Sequence, residues 1–181
     1  RRWLLRPADA CLVRVLAQTL DVPALVARML AARGVEAPLA ADFCAPTLRR
    51  LLPDPRLLRD MPDAAERVAA AVAAGEAIAV FGDYDVDGVT STALLVRFFR
   101  SLGVEAAIYI PDRIREGYGP NGPALARLAA EGARLVITVD CGTSAHEPLA
   151  EAQALGLDVI VVDHHKVGSA LPPAAAVINP N

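Results

Sequence analysis

Gly82-Asp83-Tyr84-Asp85-Val86-Asp87-Gly88 is the stretch from which the fold can be read. It follows the apolar run Ala77 to Phe81. It precedes a mostly apolar segment, Val89 to Phe99, long enough for a helix that ends near Gly103. An apolar run that passes into acids and then into a helical segment is the opening of a βα unit. Three carboxylates on alternate residues repel one another and raise each other's pKa values. A bound divalent cation relieves that conflict, and clustered oxygen ligands suit Mg²⁺ or Mn²⁺ better than zinc. A solvated acidic turn is the plain alternative for this loop taken alone. The D-x-D-x-D-G spacing also matches the start of an EF-hand. However, the twelfth residue counted from Asp83 is Leu94 instead of the required Glu, and the loop follows a strand pattern instead of a helix.

The rest of the chain repeats the unit. Val104 to Ile110 reads as a strand, and Asn121 with Pro123 starts a helix. Arg134 to Val139 is a strand that ends at Asp140-Cys141-Gly142. Ser144 is the expected cap of a helix reaching Leu155, with Gly156 as its stop. Asp158 to Val162 is a strand that ends at Asp163-His164-His165, and Ala175 to Ile178 starts one more. Near-continuous apolar strands alternating with helices define an α/β fold, a parallel sheet with helices on both faces. Such sheets bind ligands outside the carboxyl ends of their strands. The ends marked by Asp83/Asp85/Asp87, Asp140 and Asp163/His164/His165 are therefore expected on one rim.

Two of the three histidines are the adjacent pair His164-His165. A lone His on an apolar face is most often a satisfied core residue. A pair after a strand, beside Asp163, is harder to explain as packing. Neighbouring side chains point in different directions, so one imidazole is expected to ligate metal and the other to meet a substrate phosphate.

Together, the segments Gly82 to Gly88, Thr138-Val139-Asp140-Cys141-Gly142 and Asp163-His164-His165 resemble motifs I, II and III of the DHH phosphoesterase superfamily. Thr90-Ser91-Thr92, the segment Ile110-Pro111-Asp112-Arg113 followed by Glu116-Gly117-Tyr118-Gly119, and Ile178-Asn179-Pro180-Asn181 resemble the RecJ branch of that superfamily. The resemblance covers residues 57 to 181 well and the N-terminal part loosely. It implies a metal-dependent 5′→3′ exonuclease that hydrolyses single-stranded DNA in repair and recombination. It implies Asp85 and Asp87 as motif I metal ligands, Asp140 as a bridging carboxylate and His164 as a further ligand. His165 becomes a phosphate contact, and Arg113 with Gly117-Tyr118-Gly119 part of the wall around the DNA end. Asp83, counted with the metal site, occupies a position where phosphodiesterases of the superfamily that act on short oligonucleotides or cyclic dinucleotides usually carry His.

The implied chemistry needs a nucleophile at neutral pH and compensation of charge on an in-line displacement. Two Mn²⁺ or Mg²⁺ ions about 3.5–4 Å apart supply both. The helix expected from Val89 points its positive end at the site. Its free N–H groups, with Thr90 and Ser91, could bind a phosphate; ordinary N-capping by Thr90 and Ser91 is the equal alternative. Two other readings stand beside the exonuclease. One is another DHH phosphoesterase, acting on short oligonucleotides, cyclic dinucleotides or pyrophosphate. The other is a non-catalytic DHH scaffold of a replication complex. Asp83 and the Glu116 to Gly119 segment argue against the first. The presence of each ligand expected within the covered region argues against the second.

With 181 residues, the chain has room for one medium domain and a small appendage. The expected division is a helical N-terminal segment, 1–56, and a catalytic domain, 57–181. Ala8 to Leu20 and Pro23 to Ala32 have helical spacing, with Asp21 a candidate cap and Gly34 a stop. Pro38 to Cys44 is a short helix candidate, Leu51 to Pro55 a linker, and Pro62 to Ala74 a further helix. Nothing in residues 1 to 56 carries obvious chemistry. Cys11, Cys44 and Cys141 are odd in number and lack C-x-x-C spacing, so neither a disulfide framework nor a zinc site is indicated. No apolar run approaches a membrane span, and the polar opening Arg1 to Pro7 is unlike a signal peptide, so a cytoplasmic location is expected.

The net charge of −3 does not advertise a nucleic-acid binder. The acids concentrate at the proposed site, where two divalent ions would offset about four charges. Lys166 is the sole lysine, so nearly all the cationic residues are arginines, which suit phosphate. Arg115 and Lys166 read first as solvated surface. The resemblance implies a fourth metal-binding Asp and a closing domain downstream of Asn181. The 181-residue chain alone is therefore expected to bind Mn²⁺ weakly and to have little activity.

Overall fold

Ile78, Ala79, Val80 and Phe81 are all buried, and so is the matching run Leu135 to Val139. Strands apolar on both faces need cover on both faces, and that requirement sets the architecture. In the computed structural model, which describes residues 4–181, the chain divides into two units, Arg1–Asp54 and Pro55–Asn181. Arg1 to Trp3, part of the polar opening, lie outside the described residues.

The first unit is helical, with α1 (Ala10–Leu20), α2 (Ala24–Ala31), α3 (Ala40–Cys44) and α4 (Leu48–Leu51). The Asp9 carboxylate accepts from Cys11 N at 2.6 Å and Leu12 N at 3.0 Å, capping α1. Asp21 closes α1 in the left-handed conformation, φ 50°, and does not open α2. Leu16, Ala27, Leu30, Val35 and Ala40 form the core of this unit.

The second unit runs α5 (Met61–Ala74), β1 (Ile78–Gly82), α6 (Val86–Ser101), β2 (Ala107–Tyr109), α7 (Gly122–Ala130), β3 (Leu135–Val139), α8 (His146–Ala154), β4 (Asp158–Val162) and β5 (Ala176–Ile178). All strands are parallel, in the order β2-β1-β3-β4-β5. Alternate residues of each strand face opposite ways. Ala79, Phe81, Val136 and Val161 pack with α7 and α8, whereas Val80, Ile137 and Ile160 pack with α5 and α6. Arg67 on α5 ties the amino end of the layer together, reaching Asp158 and Glu76 at 2.7 Å each. The order reverses at β1: β2 lies on one side and β3 on the other. Such a switch point opens a crevice at the carboxyl ends of the strands.

Several element ends differ from the sequence reading, and those nearest the strand ends matter most. The second strand covers only Ala107–Tyr109, because Gly103 at φ 75° and the Val104 N–H bond to Phe99 O still belong to the stop of α6. Ser144 does not cap α8. A turn closed by Ala145 N to Gly142 O precedes the helix, which starts at His146. The helix after the acidic loop starts at Val86, not Val89, because Asp85 caps it through Gly88 N at 3.0 Å. Among the described residues no helix is long and apolar enough to cross a membrane, and all three cysteines are free.

Candidate metal centre

The parallel register lines up the strand ends. Gly82 pairs with Val139, Val139 with Val162, and Val162 with Ile178. The next residue in each strand is polar: Asp83, Asp140, Asp163 and Asn179. Each of the three aspartates donates its N–H to the last residue of the neighbouring strand, Asp83 to Val139 O, Asp140 to Val162 O and Asp163 to Ile178 O. The four thus form one row across the rim, neighbours being about 4.8 Å apart. All four are buried, Asp83 at 4% exposure and Asp140 and Asp163 at 6%. Buried carboxylates in a row are costly unless something compensates their charge.

The acidic loop is shaped by two close approaches. A Cβ on Gly88 would lie 2.4 Å from Asp83 O, and one on Gly82 would lie 2.1 Å from Thr92 Oγ1. Only glycine lets the first turn of α6 sit this near the strand end. Asp85 is thereby turned toward the rim. Its carboxyl is held below its ordinary value, first by the hydrogen bond from Gly88 N.

Ligand-capable atoms of Asp83, Asp85 and Asp140 lie within 4.8 Å of one another, and so do those of Asp140, His164 and His165. Asp140 is common to both groups. Burial pushes its carboxyl above the usual range, the hydrogen bond shared with Asp85 adds to this, and His164 opposes it. Its backbone is left-handed, φ 62°, a conformation that costs a non-glycine residue free energy. Gly142 at φ 110° continues that turn, where a Cβ would meet Thr138 Oγ1 at 2.7 Å. Asp83 Oδ1 is buried with no hydrogen-bond partner. A buried carboxylate oxygen left unpaired beside two more carboxylates is the donor set a hard divalent cation completes.

The two histidines have separate partners. His164 Nε2 lies 2.8 Å from Asp140 Oδ1, and His165 Nδ1 lies 2.7 Å from Asp163 Oδ1. Asp163 also accepts from Thr143 N and from the backbone N–H groups of His164 and His165. Burial alone would raise Asp163, but the bonds from Thr143 and His165 outweigh it and hold its pKa at about 2. The fixed carboxylate in turn raises His165. The Tyr118 hydroxyl donates to Asp140 O at 3.1 Å and stands 3.1 Å from His165 Nδ1. Gly119, left-handed and buried, passes beside Cys141. Cys141 is buried, and desolvation drives its thiol far up, so it is inert packing.

Most of the expected residues meet at this rim: Asp83, Asp85, Asp140, His164, His165, Tyr118 and Gly119. Arg113 stands over the ring of Tyr84, inside the acidic loop, 5.1 Å from its centroid. Asp87, Thr90 and Ser91 are not brought together with them. Asp87 is exposed in the first turn of α6 and stands outside both ligand groups. Thr90 returns its hydroxyl to Val86 O at 2.7 Å, so it neither caps the helix nor presents a free donor. Ser91 lies on the side of α6 that faces α5. Three residues that sequence reasoning left without a role belong to the centre. Asp163 orients both histidines. Asn179 donates to His165 O and Thr143 Oγ1, and Asn181 donates to His164 O. The signal for Asp163 was its place after a strand, the same place held by Asp83 and Asp140.

A carboxylate row at the switch point of a parallel sheet, completed by a histidine pair, defines a class. The family described as DHH family, N-terminal domain, matches residues 77–181, and the chain belongs to the DHH family. Within it, the chain is 38% identical over 179 residues to the single-stranded-DNA-specific exonuclease RecJ of Bacillus subtilis (strain 168), covering 99% of this chain and 23% of that protein. It is 41% identical over 162 residues to the RecJ of Escherichia coli (strain K12), covering 89% of this chain and 27% of that one. Among solved structures it is similar to RecJ in complex with Mn²⁺ from Thermus thermophilus. That match has a TM-score of 0.72 and 33% identity, over 97% of this chain and 24% of the other. A second similar structure, an exonuclease RecJ bound to manganese, has a TM-score of 0.63 and 41% identity over 68% of this chain and 31% of the other. The chain spans about a quarter of the length of the curated relatives it matches.

Proposed function

We propose that this chain is the catalytic part of a metal-dependent 5′→3′ exonuclease that hydrolyses phosphodiester bonds of single-stranded DNA in repair and recombination. The observation that carries the reading is the convergence of Asp83, Asp85 and Asp140 around the unpaired, buried Asp83 Oδ1. The 38% identity to one RecJ exonuclease, along 99% of this chain, supports single-stranded DNA as the substrate. The catalytic residues fall in the unit 55–181, and the helical unit before it is read as a packed appendage, since it shows no obvious chemistry. A cytoplasmic location goes with this reading.

Asp83, Asp85 and Asp140 would hold one Mn²⁺ or Mg²⁺, and Asp140 with His164 a second, Asp140 bridging the two. When bound, two such ions would supply an acidified water and charge compensation on the oxygens of the phosphate under attack. The protein's own groups do the rest. His165, its pKa raised first by the hydrogen bond to Asp163, presents its ring to the phosphate through the nitrogen that Asp163 does not use. Asp163 and Asn179 fix the histidine loop so that neither ring has to be ordered when substrate arrives. Tyr118 closes the wall between Asp140 and His165.

The test is an assay of the full-length protein with Mn²⁺ on 5′-labelled single strands, duplex DNA and a cyclic dinucleotide. Release of mononucleotides from the single strand alone is expected. Preference for the cyclic substrate would replace this reading with that of another DHH phosphoesterase.

A further inference from the structure

We propose that Tyr84, which has no ligand role in the metal centre, is a positioning residue that holds the Arg113 guanidinium ready for a phosphate of the nucleic-acid strand. The inference rests on the exonuclease reading and adds a residue to it.

The loop that carries Arg113 is locked from within. The Asp112 carboxylate accepts from Ile114 N at 2.9 Å and Arg115 N at 3.0 Å. Glu116 accepts from Asp112 N at 2.8 Å and from the Tyr109 hydroxyl, and returns its own N–H to Asp112 O. The Tyr109 bond, first, and the Asp112 N–H hold Glu116 below its ordinary pKa, so it is a fixed anion staple. A few residues on, Tyr118 touches Asp140 O. The backbone of Arg113 is therefore set on a turn fixed both internally and against the centre.

The Arg113 side chain is fixed differently. It is exposed, and among the described residues it makes no ion pair, although the acidic loop is adjacent. Its partner among the described residues is the face of Tyr84, the residue between Asp83 and Asp85. A salt bridge would hold a guanidinium by consuming its N–H fork. A cation–π contact holds it by the flat face and leaves the N–H groups free. An arginine kept beside a carboxylate cluster with its donors uncommitted is prepared for an anion that accepts two parallel N–H bonds, and the non-bridging oxygens of a backbone phosphate entering the metal centre offer that pair of acceptors.

The test is a double-mutant cycle on the full-length protein with Mn²⁺ and a labelled single strand, reading KM, kcat and the affinity for the strand. Tyr84→Leu is expected to raise KM about two- to fivefold with kcat within about twofold, as the energy of an exposed cation–π contact allows. Tyr84→Phe, which keeps the ring face, restores the wild-type KM. Arg113→Gln raises KM at least as much, and the double variant is no worse than Arg113→Gln alone. Arg113→Lys, which keeps the charge and loses the flat fork, also raises KM. Additive effects, or an unchanged KM in Tyr84→Leu, overturn the positioning role while leaving the exonuclease reading intact. A wild-type protein that neither binds nor cleaves single strands overturns both.

Discussion

The two units of the chain bury different things. The first unit has a core of Leu16, Ala27, Leu30, Val35 and Ala40 and, among the described residues, no buried polar side chain. The second buries Asp83, Thr92, Thr138, Asp140, Thr143, Asp163 and Asn179, and these lie at or just behind the carboxyl rim of the sheet. Burying a polar group costs free energy unless it is matched, and burying a carboxylate costs more. Stability alone would have favoured apolar residues there. The difference locates the work of the molecule: one unit is built to hold together, the other carries cost at a single edge.

The comparison can be broken most sharply at Asp140. Replacing it by Ala should abolish exonuclease activity of the full-length protein while circular dichroism shows the fold retained. Activity that survives would remove Asp140 from its bridging place. In the first unit the effects should reverse. Leu16→Ala should cost about 2–5 kcal/mol of that unit's stability in a denaturant titration. The chemical step on bound substrate, read by single turnover, should be unchanged; a slowed step would give the helical unit a catalytic part. Asp163→Asn sharpens the account within the rim. It keeps the shape but weakens the hold on His165, so Mn²⁺ affinity or activity should drop about 10- to 100-fold. An unchanged enzyme would reduce Asp163 to packing.

The smallest effect is in acid. The folded pKa of Asp163, about 2, lies below its unfolded value near 3.9. A depressed pKa contributes stability that is present above the unfolded value and is lost as pH falls through the folded one. Wild-type protein should thus lose about 1–2 kcal/mol between pH 4 and pH 2 that Asp163→Asn does not lose. Equal acid sensitivity in both would show that Asp163 is not the group responsible.

The strands, their parallel pairing and the meeting of their ends could be read from the sequence, because fully buried strands leave continuous apolar runs and parallel pairing places all their carboxyl ends together. That Asp87 stands apart from the group formed by Asp83, Asp85 and Asp140 could not. Alternation suggests equivalent residues, but α6 begins at Val86, so Asp87 already follows a helical path away from Asp85. Gly88 disguised that start, since glycine is a poor helix former. It is there because a Cβ would strike Asp83 O, a tertiary fact with no local signature. Thr90 and Ser91 were misplaced for the same reason, being one turn deeper in the helix than they look. Asp163 was hidden behind the histidines it serves. Its bond to Thr143 N crosses 20 residues of chain and becomes visible only once β3 and β4 are paired.

The central claim is that the buried row at the rim is a divalent-cation site. It is tested most directly by anomalous diffraction from crystals soaked in Mn²⁺. The account predicts Mn²⁺ density within coordination distance of Asp83, Asp85 and Asp140, with Asp140 also reaching a second peak beside His164. Crystals that take up Mn²⁺ elsewhere, with ordered side chains and no density between Asp83 and Asp140, would contradict it.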